Sequence, residues 1–591
     1  MDVTDQPVRA PGASLRARRF RWAVAIGILV IVSLVTVVGA YVLSGAAGAA
    51  KSLTAAYAPK DTVAFVDVRA DLPGDQHEKL ADFLSPYPGF RDRAQFDSAF
   101  NDILNRITGA ISPDLTYTWA LRGWTTGEVS IAVTSFGLPN LGGVDPGSGL
   151  DGIMGAIESG LAAGASSDPA LSQTITVGSE SGVLIVGLKD RGAGEEWVAS
   201  EVGRTGIQFS AQDYAGTSLY VAQQSGAALA TAYAFTDRVF VAGEVSAVKA
   251  ALDAPTRGSL ADSDSYKAAM KSFSGDCIGT FYLDPRALLT GYLGWLQGLP
   301  GISLPSAGGS STSSIPAWVA GYARAESDRM SVEIKIPKAE GAASPGNRES
   351  VLASQLPGST AAVLELRSVG SSIQTSLDAL IPLLPASEAQ LGQQLRDALN
   401  LIGGVDWVGD GAMVLTAGGA ALGGGVVVKT PDSTTAAGKK ALVTTIVSLA
   451  GASYGITETD ETYNGTTITM VSIPAAVVGS PLQIGIAVKD DLLVAGYGDS
   501  FAKSVIDTQP GNSLASQADY QNVMGAVGRS NIEYGYWNVP AMVDQLGQDF
   551  LGVSPDYYNL NYKPYFDHLG GIAFAVIDGN TVTLLLVVTA R

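Results

Sequence analysis

The sequence predicts an α+β protein in which an N-terminal transmembrane helix is followed by two tandem duplicated α+β domains with mostly antiparallel sheets. Three observations predict it: one long apolar run near the N-terminus, a set of short motifs that recur in the same order, and alternating runs broken by polar turns. The apolar run, Trp22 to Leu43, holds 22 residues without a charge. At about 1.5 Å per residue, that length suits a helix crossing about 30 Å of hydrocarbon. Arg16, Arg18, Arg19 and Arg21 crowd its N-terminal side and the next basic residue beyond it is Lys51. The positive-inside rule then places residues 1–21 in the cytoplasm as a short tail and the C-terminal bulk outside, giving a single-pass protein of the cell membrane with 22–43 as its membrane contact. A cleaved signal peptide is the alternative, because small residues follow the run at 44–50 and present an A-x-A-like site.

The recurring motifs organise the rest. APKDTVAFVDVR, Ala58 to Arg69, is echoed by LPGSTAAVLELR, Leu356 to Arg367, and DRVFVAG at Asp237 is echoed by DDLLVAG at Asp490. GSLADSDSYKAAM, Gly258 to Met270, then matches NSLASQADYQNVM, Asn512 to Met524. Order-preserving echoes are the mark of an internal repeat, so the exported part reads as copy 1 at 53–337, a polar linker at 338–350 and copy 2 at 351–591. Copy 1 carries extra residues, located at about 137–180.

Taken in order, copy 1 predicts a strand at Val63 to Val68, helices at His77 to Leu84 and Phe96 to Ile107, and strands at Tyr117 to Leu121, Glu128 to Val133 and Val183 to Leu188. A helix at Glu195 to Val202 precedes strands at Ser218 to Ala222 and Arg238 to Ala242. Helices at Ser246 to Leu252 and Asp264 to Phe273 lead to a strand at Ile278 to Leu283 and a closing hairpin, Trp318 to Arg324 with Arg329 to Ile336. Copy 2 closes the same way, Gly571 to Ile577 with Thr581 to Thr589. Alternation with polar breaks is the hairpin pattern, and hairpins with interspersed helices predict antiparallel sheets covered on one face.

The motif APKDTVAFVDVR, the helix carrying Gln76 and Leu80, the YPGF turn at Tyr87 to Phe90 and the strand GEVSIAV from Gly127 resemble the bacterial membrane-associated family of domain of unknown function 3352 (DUF3352). The resemblance implies an N-terminal span and a long exported portion. It brings no assigned activity and no catalytic residues.

The net charge of −19 argues against nonspecific binding of nucleic acid or anionic lipid, both of which need a positive field. Two histidines, His77 and His568, and one cysteine, Cys277, give no metal-ligand spacing and no intramolecular disulfide. His77 reads as a solvated histidine at a helix start and Cys277 as a small buried hydrophobe. No nucleophile elbow, P-loop or dinucleotide fingerprint occurs; Gly403, Gly404, Gly409 and Gly411 read as turn glycines, and no cofactor is implied. Asp145 and Asp151 are weak calcium-ligand candidates, and Asn464 matches a glycosylation sequon. The aromatic-rich segments of copy 2 supply the candidate binding surface: Tyr534, Tyr536, Trp537, Tyr557, Tyr558, Tyr562, Tyr565 and Phe566. Three function classes follow. The leading one is a noncatalytic envelope module that binds another protein or a surface component. The others are a protein binding small apolar ligands in a cavity lined by Tyr534, Tyr536 and Trp537, and an extracytoplasmic hydrolase using paired carboxylates.

Overall fold

The computed structural model describes residues 52–111, 121–134, 182–205, 207–223, 231–288, 315–338, 346–380, 392–394, 396–397, 399, 403–417, 423–543 and 554–591. In the first half, a short helical turn at Thr54–Ala56 precedes β1 (Ala64–Arg69), α1 (Gln76–Leu84), α2 (Arg93–Ile111), β2 (Thr125–Val133), β3 (Gly182–Leu188) and α3 (Arg191–Thr205). It continues with β4 (Phe209–Tyr214), β5 (Thr217–Ala222), β6 (Ala232–Phe235), β7 (Val239–Gly243), α4 (Val245–Arg257), α5 (Asp264–Lys271), β8 (Gly279–Leu283), β9 (Val319–Glu326) and β10 (Arg329–Pro337). The second half runs β11 (Thr360–Leu366), α6 (Val369–Leu380), β12 (Gly411–Thr416), β13 (Gly423–Lys429), α7 (Ser433–Gly451), β14 (Thr457–Tyr463), β15 (Thr466–Ile473), β16 (Leu482–Lys489) and β17 (Leu492–Tyr497). It ends with α8 (Ser500–Ile506), α9 (Ala518–Val527), β18 (Glu533–Asn538), α10 (Pro555–Asn561), α11 (Lys563–Phe566), β19 (Leu569–Asp578) and β20 (Thr581–Ala590).

All strand pairs are antiparallel. β1 lies between β2 and β8, β2 leads to β3 and β3 to β7, while β8 leads through β9 to β10. β11 likewise lies between β12 and β18, with β13 and β17 beyond β12 and β19 and β20 beyond β18. Two hairpins show why the local sequence folds as it does. β4 and β5 are joined by Ala215 and Gly216, and β14 and β15 by Asn464 and Gly465, all with positive φ. That is the backbone of the two-residue turn matching strand twist. The Asn464 amide donates to Asp507 at 2.8 Å, so the residue read as a sequon serves as a turn residue.

Two expectations about architecture are corrected. The first is the two tandem duplicated domains: β10 pairs with β20 from Arg329 opposite Thr589 to Pro337 opposite Thr581, which joins the twenty described strands into one sheet. Each of these strands ends a hairpin and offers a row of unsatisfied backbone groups, and pairing them removes two open edges at once. The halves also share a core, because Leu80, Phe83, Tyr87 and Phe96 pack with Tyr565, Leu569 and Val588. The YPGF turn is therefore a packing element, with Tyr87 and Phe90 both buried.

The second correction concerns the membrane. Among the described residues no helix is long and apolar enough to cross a bilayer, and the run at 22–43 lies outside them. The longest described helices, α2 and α7, have 19 residues each and are interrupted by polar and charged side chains such as Asp97, Asn101, Lys439 and Lys440. The expected anchor, its cytoplasmic N-terminus with extracytoplasmic bulk, and the membrane as a partner are withdrawn accordingly. The insertion at about 137–180, with Asp145 and Asp151, and the strand placed at Tyr117 to Leu121 fall outside the described residues, except for Leu121, which belongs to no strand.

Candidate functional site

The first half holds the charged cluster from which a site can be built. β1 alternates, so Phe65 is buried in the core and Asp67, two residues on, is buried as well. Asp67 accepts a hydrogen bond from Ser130 Oγ at 2.7 Å. Glu128, on neighbouring β2, accepts from Ser52 Oγ at 2.8 Å, from Thr54 Oγ1 at 2.9 Å and from the Thr54 amide at 3.0 Å. Burial, reinforced by the nearby Glu128 charge, pushes the Asp67 carboxyl up to about 7, the expected direction for an acid out of water beside another acid. Arg69 does not close on Asp67. It turns outward in a two-point contact with Asp71, at 3.0 and 2.9 Å, and stands 3.9 Å from Glu128.

Asp71 is one wall of a cleft of about 440 Å³ that also includes His77, Asp97, Arg122, Thr125 and Lys189. The cleft forms because β2 is irregular at its start. Its pairing with β3 shifts register between Thr125 and Val129, and Gly127 sits there at φ +91°, where an added Cβ would lie 2.8 Å from Asp71. A bulge of this kind re-aims side chains next to a functional site. The Ala70 amide bonds to the Gly127 carbonyl at 2.8 Å, closing the β1 and β2 ends together. Trp124 is buried against Val186, Leu188, Val198, Phe235 and Phe240, and its carbonyl accepts from the amides of Lys189 and Asp190. That anchor fixes Arg122 and Lys189 side by side, and Lys189 Nζ donates to the Arg122 carbonyl at 2.6 Å. Also lining the cleft, His77, from α1, meets Asp97, from α2, at 2.8 Å and stacks edge-on against Phe96.

Thr125 gives the cleft its most specific feature. It is 3% exposed, and its Oγ1 is buried with no hydrogen-bond partner. Leaving a buried hydroxyl unpaired costs about 1–3 kcal/mol, so natural structures retain such a group where something else satisfies it.

The residues singled out from the sequence are placed differently. Tyr534 and Tyr536 are fully buried in the second-half core; the Tyr520 hydroxyl donates to that of Tyr534, which donates to Glu365 at 2.9 Å. Tyr558, Tyr562 and Tyr565 are buried too, with Tyr558 and Tyr562 stacked. Trp537, Tyr557 and Phe566 are half-buried: Trp537 lies against Phe574, Tyr557 against Tyr562, and Phe566 against the shared core. The tyrosines bury their apolar rings, and the Tyr534 hydroxyl is satisfied locally whereas that of Tyr536 is buried without a hydrogen-bond partner among the described residues, an arrangement that suits packing more than ligand contact. Cys277 is buried in the first-half core as expected. Gly403 and Gly404 take positive φ at a turn, whereas Gly409 is needed for close approach to the Lys429 carbonyl.

The three function classes are corrected on these grounds. The envelope module depended on the withdrawn anchor. The apolar-ligand protein needed a cavity at Tyr534 and Tyr536, which is filled core. The hydrolase needed carboxylates converging in an open groove, whereas the close acid pair Asp67 and Glu128 is sealed beneath Thr54. Among the described residues no cluster of three or more metal-ligating side chains occurs.

The cleft was not legible as a motif. Its residues come from the end of β1, two helices, the start of β2 and the end of β3, and the one local signal was the glycine in TTGEV, where a strand breaks its alternation. A family model described as protein of unknown function (DUF3352) matches residues 24–584. No curated protein and no solved structure matches the chain.

Proposed function

The chain belongs to the DUF3352 family of proteins of unknown function, and from its geometry we propose that it is a recognition protein binding a small polar molecule in the cleft between Asp71, Asp97 and Arg122. The observation that carries this reading is the Thr125 hydroxyl, buried at the cleft and unpartnered. The volume supports it, since about 440 Å³ falls within the range of small-molecule sites. The β2 bulge supports it as well, as a local break in regular pairing that produces the cleft. The boundary between the halves at 338–350 is proposed on the same footing, supported by β10 ending at Pro337 and β11 beginning at Thr360.

The test is native mass spectrometry of the full chain after incubation with a cell-extract metabolite fraction, alongside Asn101→Trp, which fills the cleft from α2. A small molecule retained by the parent and lost from Asn101→Trp is the expected outcome. Retention of the same molecule by both proteins, or by neither, overturns the reading.

A further inference from the structure

We infer that the ligand of this cleft presents an oxyanion, carboxylate or phosphate, to Arg122, Lys189 and Thr125, and turns hydroxyl groups toward Asp97 and His77. The inference rests on the cleft being a ligand site and adds the chemistry it selects. Charge accounting around the cleft leads there. Asp71 is neutralised by the two-point contact with Arg69, and Asp97 is engaged by His77. Arg122 and Lys189 have no acidic partner among the described residues, and Lys189 spends one donor on the Arg122 carbonyl. Two cations therefore line the cleft with donors to spare, together with a buried threonine hydroxyl that makes no hydrogen bond.

A guanidinium, an ammonium and a hydroxyl carried by residues lining one cleft form a donor set for an oxyanion. The guanidinium offers a planar fork, the ammonium a point charge, and the hydroxyl a further donor. Thr125 is left without a hydrogen-bond partner among the described residues, and an anionic oxygen completes it. Among the described residues, the rest of the lining offers no further unpaired cation for a second negative charge. Asp97 and Asp71, already engaged by His77 and Arg69, still present carboxylate oxygens that accept from hydroxyls, so the preferred ligand has one anionic head and an uncharged, hydroxylated body.

Isothermal titration of the full chain with gluconate, glycerol 3-phosphate and glucose tests this assignment, gluconate and glycerol 3-phosphate separating carboxylate from phosphate as the head group. Saturable binding of either anion, with glucose at least about tenfold weaker, is expected, as is an at least about tenfold rise in Kd for Arg122→Gln, the range for losing a hydrogen bond to a charged group. Lys189→Gln lies at an exposed position and provides a second variant that keeps its fold; Thr125→Val removes only the hydroxyl, and both are expected to weaken binding in the same sense. Binding of neither anion, equal binding of glucose, or an unchanged Kd in both Arg122→Gln and Lys189→Gln overturns the oxyanion assignment. If a neutral molecule is retained in the native mass spectra and lost from Asn101→Trp while both anions fail, the cleft reading stands and only its chemistry falls. If Asn101→Trp leaves retention unchanged, the cleft reading itself has failed.

Discussion

The central strands β1 and β11 carry the same pattern, an acid followed two residues later by an arginine, and the two halves of the sheet use it in opposite ways. In β11 Glu365 pairs directly with Arg367, both side chains fully buried; Ser350 Oγ and the Tyr534 hydroxyl donate to the same Glu365 oxygen at 2.6 and 2.9 Å. The next acid, Asp410, has an arginine of its own in Arg348. In β1 the corresponding arginine, Arg69, is drawn away to Asp71, leaving Asp67 and Glu128 to share hydroxyl donors. The second half thus matches each buried acid with a cation, while the first half spends its arginine at the cleft and holds one acid near neutrality. One half pairs its buried acids with cations, and the other holds a buried acid beside an arginine that is engaged at the cleft instead.

The largest effect expected from breaking this comparison is at Arg367. Arg367→Met removes the cation from a fully buried pair and leaves Glu365 unpaired, so urea denaturation should show a loss of about 3–5 kcal/mol. The double variant Glu365→Gln with Arg367→Met should lose less than the two single changes summed, because the partners are in contact. Equal and additive losses would mean that the pair acts as two separate packing residues.

Asp67 predicts the next largest effect, with a defined sign. Its folded carboxyl titrates at about 7, above the value near 3.9 of an unfolded aspartate. Between about pH 4 and pH 7 the folded state therefore holds a proton that the unfolded state has released, and this group's contribution to stability falls as pH rises through that window. Asp67→Asn keeps an acceptor for Ser130 and cannot ionise. Denaturation measured from pH 4 to pH 8 should show the variant close to the parent at pH 4 and more stable by a few kcal/mol above pH 7. A parallel pair of pH profiles would show that Asp67 titrates normally.

How much of this was readable in the sequence follows from the range of the interactions. The strands came from alternation, a local property, and even the short runs Ser218 to Ala222 and Arg238 to Ala242 sit within a residue or two of β5 and β7. The pairing of β10 with β20 is set by two open edges far apart in the chain, and no pattern within either strand announces its partner. The aromatic run at 557–566 looked like a surface because tyrosine has a polar tip, but burial depends on what lies opposite, here the α1 helix and the YPGF turn of the other half. The acid–arginine motif was visible in both halves; its divergent use was not, because Asp71 lies outside the echoed residues and captures Arg69. The cleft was least visible of all, assembled from segments whose residues have no characteristic spacing.

Smaller effects sharpen the comparison at the serines that start each half. Ser350 and Ser52 each donate to a buried acid, Glu365 and Glu128 respectively. Glu128 also receives the Thr54 hydroxyl and amide, so Ser52→Ala should cost well under 1 kcal/mol, whereas Ser350→Ala should cost about 1.5–3 kcal/mol, the range for a hydrogen bond to a charged group. Thr125→Val should be the smallest change and, like Asp67→Asn above pH 7, one of opposite sign. Its hydroxyl makes no hydrogen bond in the unliganded protein, so replacing it by a methyl of similar size removes a desolvated polar atom without opening a cavity. Thermal unfolding without ligand should be unchanged or shifted upward by a degree or two, and the same variant should bind the cleft ligand more weakly. A protein that keeps an unsatisfied hydroxyl at the expense of its own stability does so where the bound state uses it; a destabilised Thr125→Val with unaltered binding would assign that hydroxyl to the fold instead.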